Sequence, residues 1–351
     1  MKQYNRANRP LRQKKNKIVL CNQAADLDSV ACAYVYSRIT GAIPFIPIPS
    51  QDLRLRSEII HALETAGIDR QEFLFADTFV SSPEQEITLV DHNALPHFLR
   101  ELEPDVKEII DHHAPEGNLI QNPDVRCTLE RTGSCAALVG ESLLEQVRQK
   151  RLEAKPEWIY LLSGAILLDT YNFSPETGTA TEKDRQVLTS MADLHKVDTE
   201  KLFRELSAKK TDFSGFTPED YLRKDYKEFI HKGVRCGFSA IYRSLEPIAD
   251  RNFTEEAFRF CRKRNLDIFI IMTVYRDSRL HKETAFLSGE GLPDAGKMAE
   301  FFNSRSAGLV HSRRICTGNG ALEIFRLENI TLSRKHIVPF TKEFIEYNQK
   351  T

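Results

Sequence analysis

Three short apolar segments in the first half of the chain each end in a polar loop rich in acids. Residues 17–21 (KIVLC) lead into NQAADLD, residues 86–90 (EITLV) into DHN, and residues 107–110 into DHH. Short apolar runs bounded in this way are typical of buried strands. Helix-like periodicity in residues 30–39 and 54–66 lies between the first two of them. Strands that alternate with helices predict a parallel sheet in an α/β domain.

The second half of the chain carries a different pattern. Residues 195–229 are rich in Lys, Asp and Glu and predict charged helical stretches. The remaining predicted elements are an extended segment at 44–48, helices at 134–147, 157–168, 294–303 and 339–347, and strands at 266–275, 284–288 and 321–327. We expect a basic, disordered tail over residues 1–16, a first domain over 17–190, and a smaller α+β domain over 205–351.

The composition narrows the class of protein. The 351 residues include seven cysteines, none in a C-x-x-C pair, which disfavours a disulfide framework and indicates a reducing compartment. The net charge of −1 gives no sign of nucleic-acid or membrane binding. No apolar run approaches the roughly 20 residues of a membrane span, and the basic N-terminus lacks the apolar segment of a secretory signal. We therefore expect a cytoplasmic protein.

The loops after the predicted strands concentrate residues that can bind metal ions. Together with an aspartate that ends the apolar segment 157–168, they are Asn22, Asp26, Asp28, Asp91, His92, Asn93, Asp111, His112, His113 and Asp169. In open parallel sheets the ligand site lies beyond the carboxyl ends of the strands, so these loops should converge on one crevice. Carboxylates that converge cannot all stay ionised without cations, and mixed with imidazole they suit Mg²⁺ or Mn²⁺.

Two such ions that share a bridging carboxylate can activate a water for hydrolysis of phosphate esters and anhydrides. Each aspartate taken singly is also explained as a loop cap or a turn residue. The joint occurrence of these residues after successive strands favours the metal site.

The motifs that hold these residues resemble those of the DHH phosphoesterase superfamily. They are N-x-x-x-D-x-D at 22–28, L-V-D-H-N at 89–93, D-H-H at 111–113, G-S-C at 133–135 and G-A-I-L-L-D-T at 164–170. Residues 209–229 and 333–340 (SRKHIVPF) are similar to the DHH-associated domain of the branch that contains family II inorganic pyrophosphatases, cytosolic exopolyphosphatases and prune proteins. The resemblance implies an N-terminal Rossmann-like DHH domain with a parallel sheet, a C-terminal domain with a mixed sheet, and an active site in the cleft between them.

The resemblance also implies a role for each residue that matches a motif. The implied metal ligands, for two or more divalent ions, are Asn22, Asp26, Asp28, Asp91, His112 and Asp169. Asp91 would bridge two ions, and His112 and His113 would join it in catalysis. The implied substrate-binding residues are His113, Asn93, Lys227, Arg334 and Lys335. We expect Asp111 to orient a histidine through its ring N–H.

One position departs from the pyrophosphatase pattern. Family II pyrophosphatases open the first motif with histidine, whereas this chain has Asn22, as the exopolyphosphatase and prune branch does. An amide oxygen is a harder ligand than imidazole, so we expect a preference for Mg²⁺ over Mn²⁺ or Co²⁺. His113 is typical of exopolyphosphatases, and the D-H-N of residues 91–93 is closer to prune proteins.

These observations leave two related activities open. The first is a metal-dependent exopolyphosphatase that releases terminal orthophosphate from inorganic polyphosphate. The second is an inorganic pyrophosphatase or short-chain polyphosphatase of prune type, with cyclic-nucleotide phosphodiesterase activity as an addition. A nuclease of RecJ type is disfavoured because residues 317–320 (TGNG) lack its Gly-Gly-Gly-His loop, and the intact acidic set disfavours a purely non-catalytic interaction protein. We expect a monomer, with a homodimer as the alternative.

Overall fold

A six-stranded parallel sheet forms the first half of the molecule. The computed structural model describes residues 17–82 and 84–349, so the predicted basic tail lies outside the described residues. The strands are β1 (Lys17–Leu20), β2 (Ile43–Ile46), β3 (Leu74–Phe75), β4 (Glu86–Val90), β5 (Val106–Asp111) and β6 (Arg126–Leu129). Their order is β3-β2-β1-β4-β5-β6, and every neighbouring pair is parallel. This is the Rossmann order, in which the sheet reverses direction of winding between β1 and β4.

Six helices accompany this sheet. They are α1 (Leu27–Thr40), α2 (Ser57–Thr65), α3 (Cys135–Arg148), α4 (Pro156–Asp169), α5 (Glu182–Leu194) and α6 (Thr199–Lys210). The buried helix predicted at 157–168 is α4, whose residues from Leu161 to Leu168 are all buried because other helices surround it. A second apolar cluster, with Leu95, Leu99 and Leu102, covers the opposite face of the sheet. The strands are therefore buried on both faces, as their apolar sequences predict.

A mixed six-stranded sheet forms the second half. Its strands are β7 (Tyr226–His231), β8 (Val234–Ile241), β9 (Ile268–Arg276), β10 (Leu280–Gly289), β11 (Leu309–Thr317) and β12 (Gly320–Leu327), in the order β11-β12-β10-β9-β8-β7. Within the described strands of this second sheet, only β8 and β9 pair in parallel. The helices are α7 (Pro218–Arg223), α8 (Arg251–Lys263), α9 (Ala295–Asn303) and α10 (Arg334–Asn348). Apolar clusters with α8 on one face and with α9 and α10 on the other complete the core.

The fold class agrees with the prediction, and some local predictions need correction. The prediction of charged helices over 195–229 is wrong for residues 226–229, which begin strand β7. β7 is an edge strand with half-exposed side chains, so it carries charged residues that mask its strand character. The domain limits stay a prediction, since α6 crosses the predicted gap and packs Leu202 and Leu206 into the core of the first sheet. No helix in the described part of the chain is long and apolar enough to cross a membrane.

Candidate metal centre and anion-binding cleft

The ends of β4 and β5 bring four potential metal ligands together. Ligand atoms of Asp91, Asp111, His112 and His113 all lie within 4.8 Å of one another. The loop after β1 joins them, because the Asn22 amide nitrogen lies 2.5 Å from Asp91 Oδ2. β1 and β4 are neighbours at the reversal of the sheet, and this places their loops on either side of one crevice. The predicted convergence of the three strand-end loops is therefore present.

Asp91 lies at the centre of the group and is buried. Its Oδ1 atom lacks a hydrogen-bond partner among the described residues, and it lies 3.3 Å from His112 Nε2 and 3.7 Å from His113 Nδ1. Burial, together with Asp26 and Asp111, raises the pKa of Asp91 well above its ordinary value. A buried carboxylate oxygen without a donor is costly unless a proton or a cation satisfies it.

The orientation of His112 also favours a cation at this point. His112 Nδ1 lies 2.9 Å from the carbonyl oxygen of Thr132, and because a carbonyl only accepts, Nδ1 carries the ring proton. In the neutral ring, Nε2 then directs a lone pair at Asp91 Oδ1, which is also an acceptor. Two acceptors that face each other repel unless a metal ion or a proton lies between them. The residues present therefore fit a divalent metal ion.

Asp111 orients the two histidines of the D-H-H motif. It is fully buried, and its Oδ1 accepts from the backbone N–H groups of His112 and His113, at 2.8 and 3.2 Å, and from His113 Nδ1, at 2.7 Å. Burial raises the pKa of Asp111, but the bonds from His113 and Asn93 lower it below its ordinary value. Burial, reinforced by the charge of Lys335, lowers the pKa of His113 to about 4 despite its bond to Asp111.

The amides of Asn22 and Asn93 are used in building the loops. Asn93 donates to Asp111 Oδ2 at 2.6 Å and to the Ala114 carbonyl at 3.0 Å, and its oxygen accepts from Glu116 N–H. Both of its N–H groups are thus occupied within the loops. Substrate contact by Asn93 stays a prediction that requires one of these bonds to break.

Asn22 has a similar arrangement. Its oxygen accepts from the N–H groups of Ala24 and Ala25, at 2.9 and 3.0 Å, and these two donors fix the amide so that its nitrogen faces Asp91. Ligation of a metal by Asn22 stays a prediction, and it requires the amide to turn away from these two donors.

Three further aspartates surround the centre from helix ends. Asp26 caps the N-terminus of α1, Asp28 lies in its first turn, and Asp169 ends α4. Burial and the charge of Asp91 raise the pKa of Asp28 to about 6, and burial and Asp28 raise that of Asp169 well above its ordinary value. These shifts show that the carboxylates repel one another across a common site. Excess negative charge of this kind attracts divalent cations.

The G-S-C motif holds Asp28 in place. Asp28 accepts from Ser134 Oγ at 2.7 Å and from the backbone N–H groups of Cys135 and Ala136, at 2.7 and 2.8 Å, at the N-terminus of α3. The loop itself is held by buried Asp184, which accepts from Gly133 N–H and Ser134 N–H. The sequence analysis missed Asp184, although the T-x-x-D pattern of its capping box with Thr181 was a visible signal.

Cationic groups of the second domain face the carboxylates. Burial raises the pKa of Asp26, but Lys227 on β7 lowers it below its ordinary value and also acts on Asp91. Arg334, the first residue of α10, donates to Asp225 Oδ1 at 2.8 Å and to the Asp225 carbonyl at 3.2 Å. The remaining N–H groups of its guanidinium are available to an anion, and the helix N-terminus favours one. The matched positions of the second domain thus face the predicted metal site.

Asp225 is a second residue to which the sequence analysis gave no role. It is buried, it accepts from Tyr242 Oη at 2.8 Å as well as from Arg334, and Arg334 and Lys227 lower its pKa to about 2 even though burial raises it. It lies in the D-x-K-x-F motif that contains Lys227, and this proximity was the signal available in the sequence.

Two family models match this chain in order. The DHH family N-terminal domain matches residues 16–166, and the DHHA2 domain matches residues 204–344. The chain belongs to the proteins that join a DHH domain to a DHHA2 domain, and the predicted superfamily is confirmed.

Named relatives lie in the branch that the sequence analysis predicted. Human exopolyphosphatase PRUNE1 is 32% identical over 279 residues, which cover 74% of this chain and 59% of that protein. A Schizosaccharomyces pombe protein, provisionally named an exopolyphosphatase, is 27% identical over 93% of this chain and 90% of its own length. The manganese-dependent inorganic pyrophosphatase of Methanocaldococcus jannaschii is 25% identical over 64% of this chain and 71% of its own.

A solved structure shows the same fold. A Methanococcus jannaschii protein, provisionally assigned to the family II inorganic pyrophosphatases, superimposes with a TM-score of 0.68 over 93% of this chain and 98% of that one, at 21% identity. This likeness confirms the predicted two-domain fold class.

Proposed function

We propose that the protein is a divalent-metal-dependent exopolyphosphatase. Water would attack the terminal phosphorus of an inorganic polyphosphate, the P–O bond to the next phosphate would break, and orthophosphate would leave from a chain one unit shorter. The observation that carries the proposal is the buried Asp91 carboxylate, whose oxygen faces the imidazole lone pair of His112 opposite the cations of the second domain. The names of the relatives support the same chemistry.

The metal ions would supply the activation of water and part of the neutralisation of phosphate charge. The residues that would hold them are Asp26, Asp28, Asp91, His112 and Asp169, with Asn22 as a further predicted ligand. Asp111 accepts from the backbone N–H groups of both histidines and from the ring of His113, and it would keep that ring in its orientation. Lys227, Arg334 and Lys335 would bind phosphate oxygens, because Arg binds them bidentately and Lys supplies a point charge.

The preferred metal and the chain length belong to the same proposal. We infer a preference for Mg²⁺ from Asn22, and the relatives named as manganese-dependent make Mn²⁺ the alternative. The alternative substrate is pyrophosphate or a short chain, supported by the pyrophosphatases among the relatives.

We also propose that the protein is a cytoplasmic monomer. All seven cysteines are unpaired in the structure, five of them buried, as suits a reducing compartment.

The test is phosphate release from pyrophosphate, tripolyphosphate and long polyphosphate, each with Mg²⁺, Mn²⁺ and Co²⁺. Asp91→Ala should abolish metal-dependent release while thermal unfolding shows that the fold survives. The exposed Asp124→Ala is the matched control and should keep wild-type rates. Substantial turnover in Asp91→Ala would remove the central role of this carboxylate. Absence of release from every phosphoanhydride by the wild type would remove the proposed function.

A further inference from the structure

Lys210 lies at the end of α6, the helix that packs Leu202 and Leu206 into the core of the first sheet. It is the last residue of α6, which ends on the pair Lys209–Lys210. Lys209 is exposed, whereas Lys210 is partly buried and its ammonium lies 4.6 Å from the ring centre of Tyr242. Tyr242 follows β8 and donates to Asp225, the carboxylate that also orients Arg334. The Lys210 side chain thus rests on a tyrosine that is bonded to the same carboxylate as a predicted phosphate-binding arginine.

The charge of Lys210 acts on the predicted metal ligands. Burial raises the pKa of Asp169, Asp28 reinforces the rise, and Lys210 and His112 oppose it. Lys210 also helps Lys227 to lower the pKa of Asp26. The Lys210 ammonium therefore lies within electrostatic reach of both carboxylates.

The contacts of the Lys210 ammonium differ from those of the neighbouring Lys224 ammonium. Within the described residues, the Lys210 ammonium makes no hydrogen bond and no salt bridge, and its contact is with the face of Tyr242. The neighbouring Lys224 differs, because its ammonium donates to the Lys210 carbonyl at 2.8 Å and lies 3.4 Å from Glu58 Oε2. Binding of an anion stabilises a partly buried cation that has unused N–H donors.

We propose that Lys210 is a phosphate-binding residue of the cleft and contacts the bound phosphoanhydride from α6, the helix that packs on the first sheet. Lys227 on β7 and Arg334 and Lys335 on α10 contact it from the side of the second sheet, so the substrate lies between the two sheets. The inference rests on the proposed function and adds to it a residue to which the sequence analysis gave no role. A competing role is that of a counter-ion for Asp169, which divalent ions would replace.

The experiment compares Lys210→Gln with Lys209→Gln, which removes the same charge from the exposed neighbour. We expect Lys210→Gln to raise the KM for tripolyphosphate about tenfold or more, because hydrogen bonds to charged groups contribute on this scale. Its affinity for inorganic phosphate, measured by calorimetry with Mn²⁺ present, should fall to a similar extent. Lys210→Arg should recover most of both losses, and Lys209→Gln should match the wild type.

The two roles give different results. If Lys210 is only a counter-ion, Lys210→Gln binds Mn²⁺ more tightly, while its KM and its phosphate affinity stay at the wild-type values, and this outcome overturns the proposal. Calorimetry with inorganic phosphate requires no turnover. A wild type without hydrolytic activity would therefore remove the proposed function, and the phosphate affinities of the two variants would still decide the role of Lys210.

Discussion

At the scale of single residues, Asp91 is the group around which the site is arranged. Asp91 follows β4, and its neighbours come from the loop after β1, which contributes Asn22, and the loop after β5, which contributes His112 and His113. The Asp91 backbone has a φ of 63°, a left-handed conformation that is unusual for a residue other than glycine. Backbone strain of this kind, beside a buried oxygen that lacks a donor, is typical of a functional site.

The raised pKa values of the buried carboxylates predict that metal stabilises the protein more as the pH rises. Without metal, the pKa of Asp28 is about 6, and those of Asp91 and Asp169 are well above the ordinary value. These groups bind more protons in the folded protein than in the unfolded chain, so their contribution to the free energy of unfolding falls as the pH rises from about 4. Divalent ions bind the deprotonated carboxylates and remove this loss.

The measurement is the gain in Tm on adding saturating Mn²⁺, which should be larger at about pH 7 than at about pH 5. In Asp91→Asn the difference between the two pH values should shrink, because one titrating ligand is absent. An equal gain at both pH values in the wild type would contradict the assignment of these carboxylates as the metal ligands.

At the scale of elements, Gln23 attaches the first metal loop to strand β7. Its amide nitrogen donates to the Glu228 carbonyl, and its amide oxygen accepts from Glu228 N–H, both at 3.2 Å. Gln23 follows Asn22, and Glu228 follows Lys227. A side chain that pairs with the backbone like a short strand therefore fixes the distance between the metal loop and a predicted phosphate-binding lysine.

Removal of this pairing should weaken substrate binding as well as stability. We expect Gln23→Ala to lower the free energy of unfolding by about 1–3 kcal/mol, since two hydrogen bonds each contribute about 0.5–1.5 kcal/mol. The KM for tripolyphosphate should rise because Lys227 is no longer held against the loop. Gln121→Ala, an exposed change in the first domain, should alter neither quantity. A lower stability with an unchanged KM would restrict Gln23 to a purely structural role.

The elements that were predicted best from the sequence are those whose apolar residues clearly mark a buried strand or a buried helix. The predicted strand at 86–90 is β4 to the residue, and the helix predicted at 157–168 is α4 within one residue at each end. Strand β11 was missed because it is an edge strand whose exposed residues, among them Arg313 and Arg314, hide the alternation. Helix α8 was also missed, although its buried Phe253, Ala257 and Phe260 follow the helical period.

At the scale of the whole molecule, ion pairs fasten α2 and the segment before it to the second domain. Arg54 Nη2 lies 2.6 Å from Asp220 Oδ1, and Asp52 pairs with Arg223. The pair of Glu58 and Lys224 differs from these because both side chains are almost completely buried, at 4% and 3% exposure. Removal of one member of a buried pair leaves an uncompensated charge, which makes this contact the strongest test of domain association.

Lys224→Met should lower the free energy of unfolding by about 3 kcal/mol or more. Lys201→Met is the matched control, because its pair with Glu205 on α6 is exposed and contributes at most about 1 kcal/mol. Denaturant unfolding checks both values. If the two variants lose equal stability, the buried pair contributes no more than a surface pair, and the domains are held by other contacts.

The sequence by itself determined the family, the parallel first sheet and the set of residues at its carboxyl edge. It could do so because the periodicity of a strand or a helix is visible in a short stretch of sequence. In addition, the loops at the carboxyl ends of the strands of a parallel sheet lie together, however many residues separate them in the chain. Only the tertiary structure decided how those residues are used. The Asn93 amide supports Asp111, the Asp28 carboxylate rests on the N-terminus of α3, and Lys210 rather than Lys209 packs on Tyr242. Each of these contacts depends on a partner that is distant in sequence. A local sequence pattern does not predict in which direction a side chain points when the two partners come together.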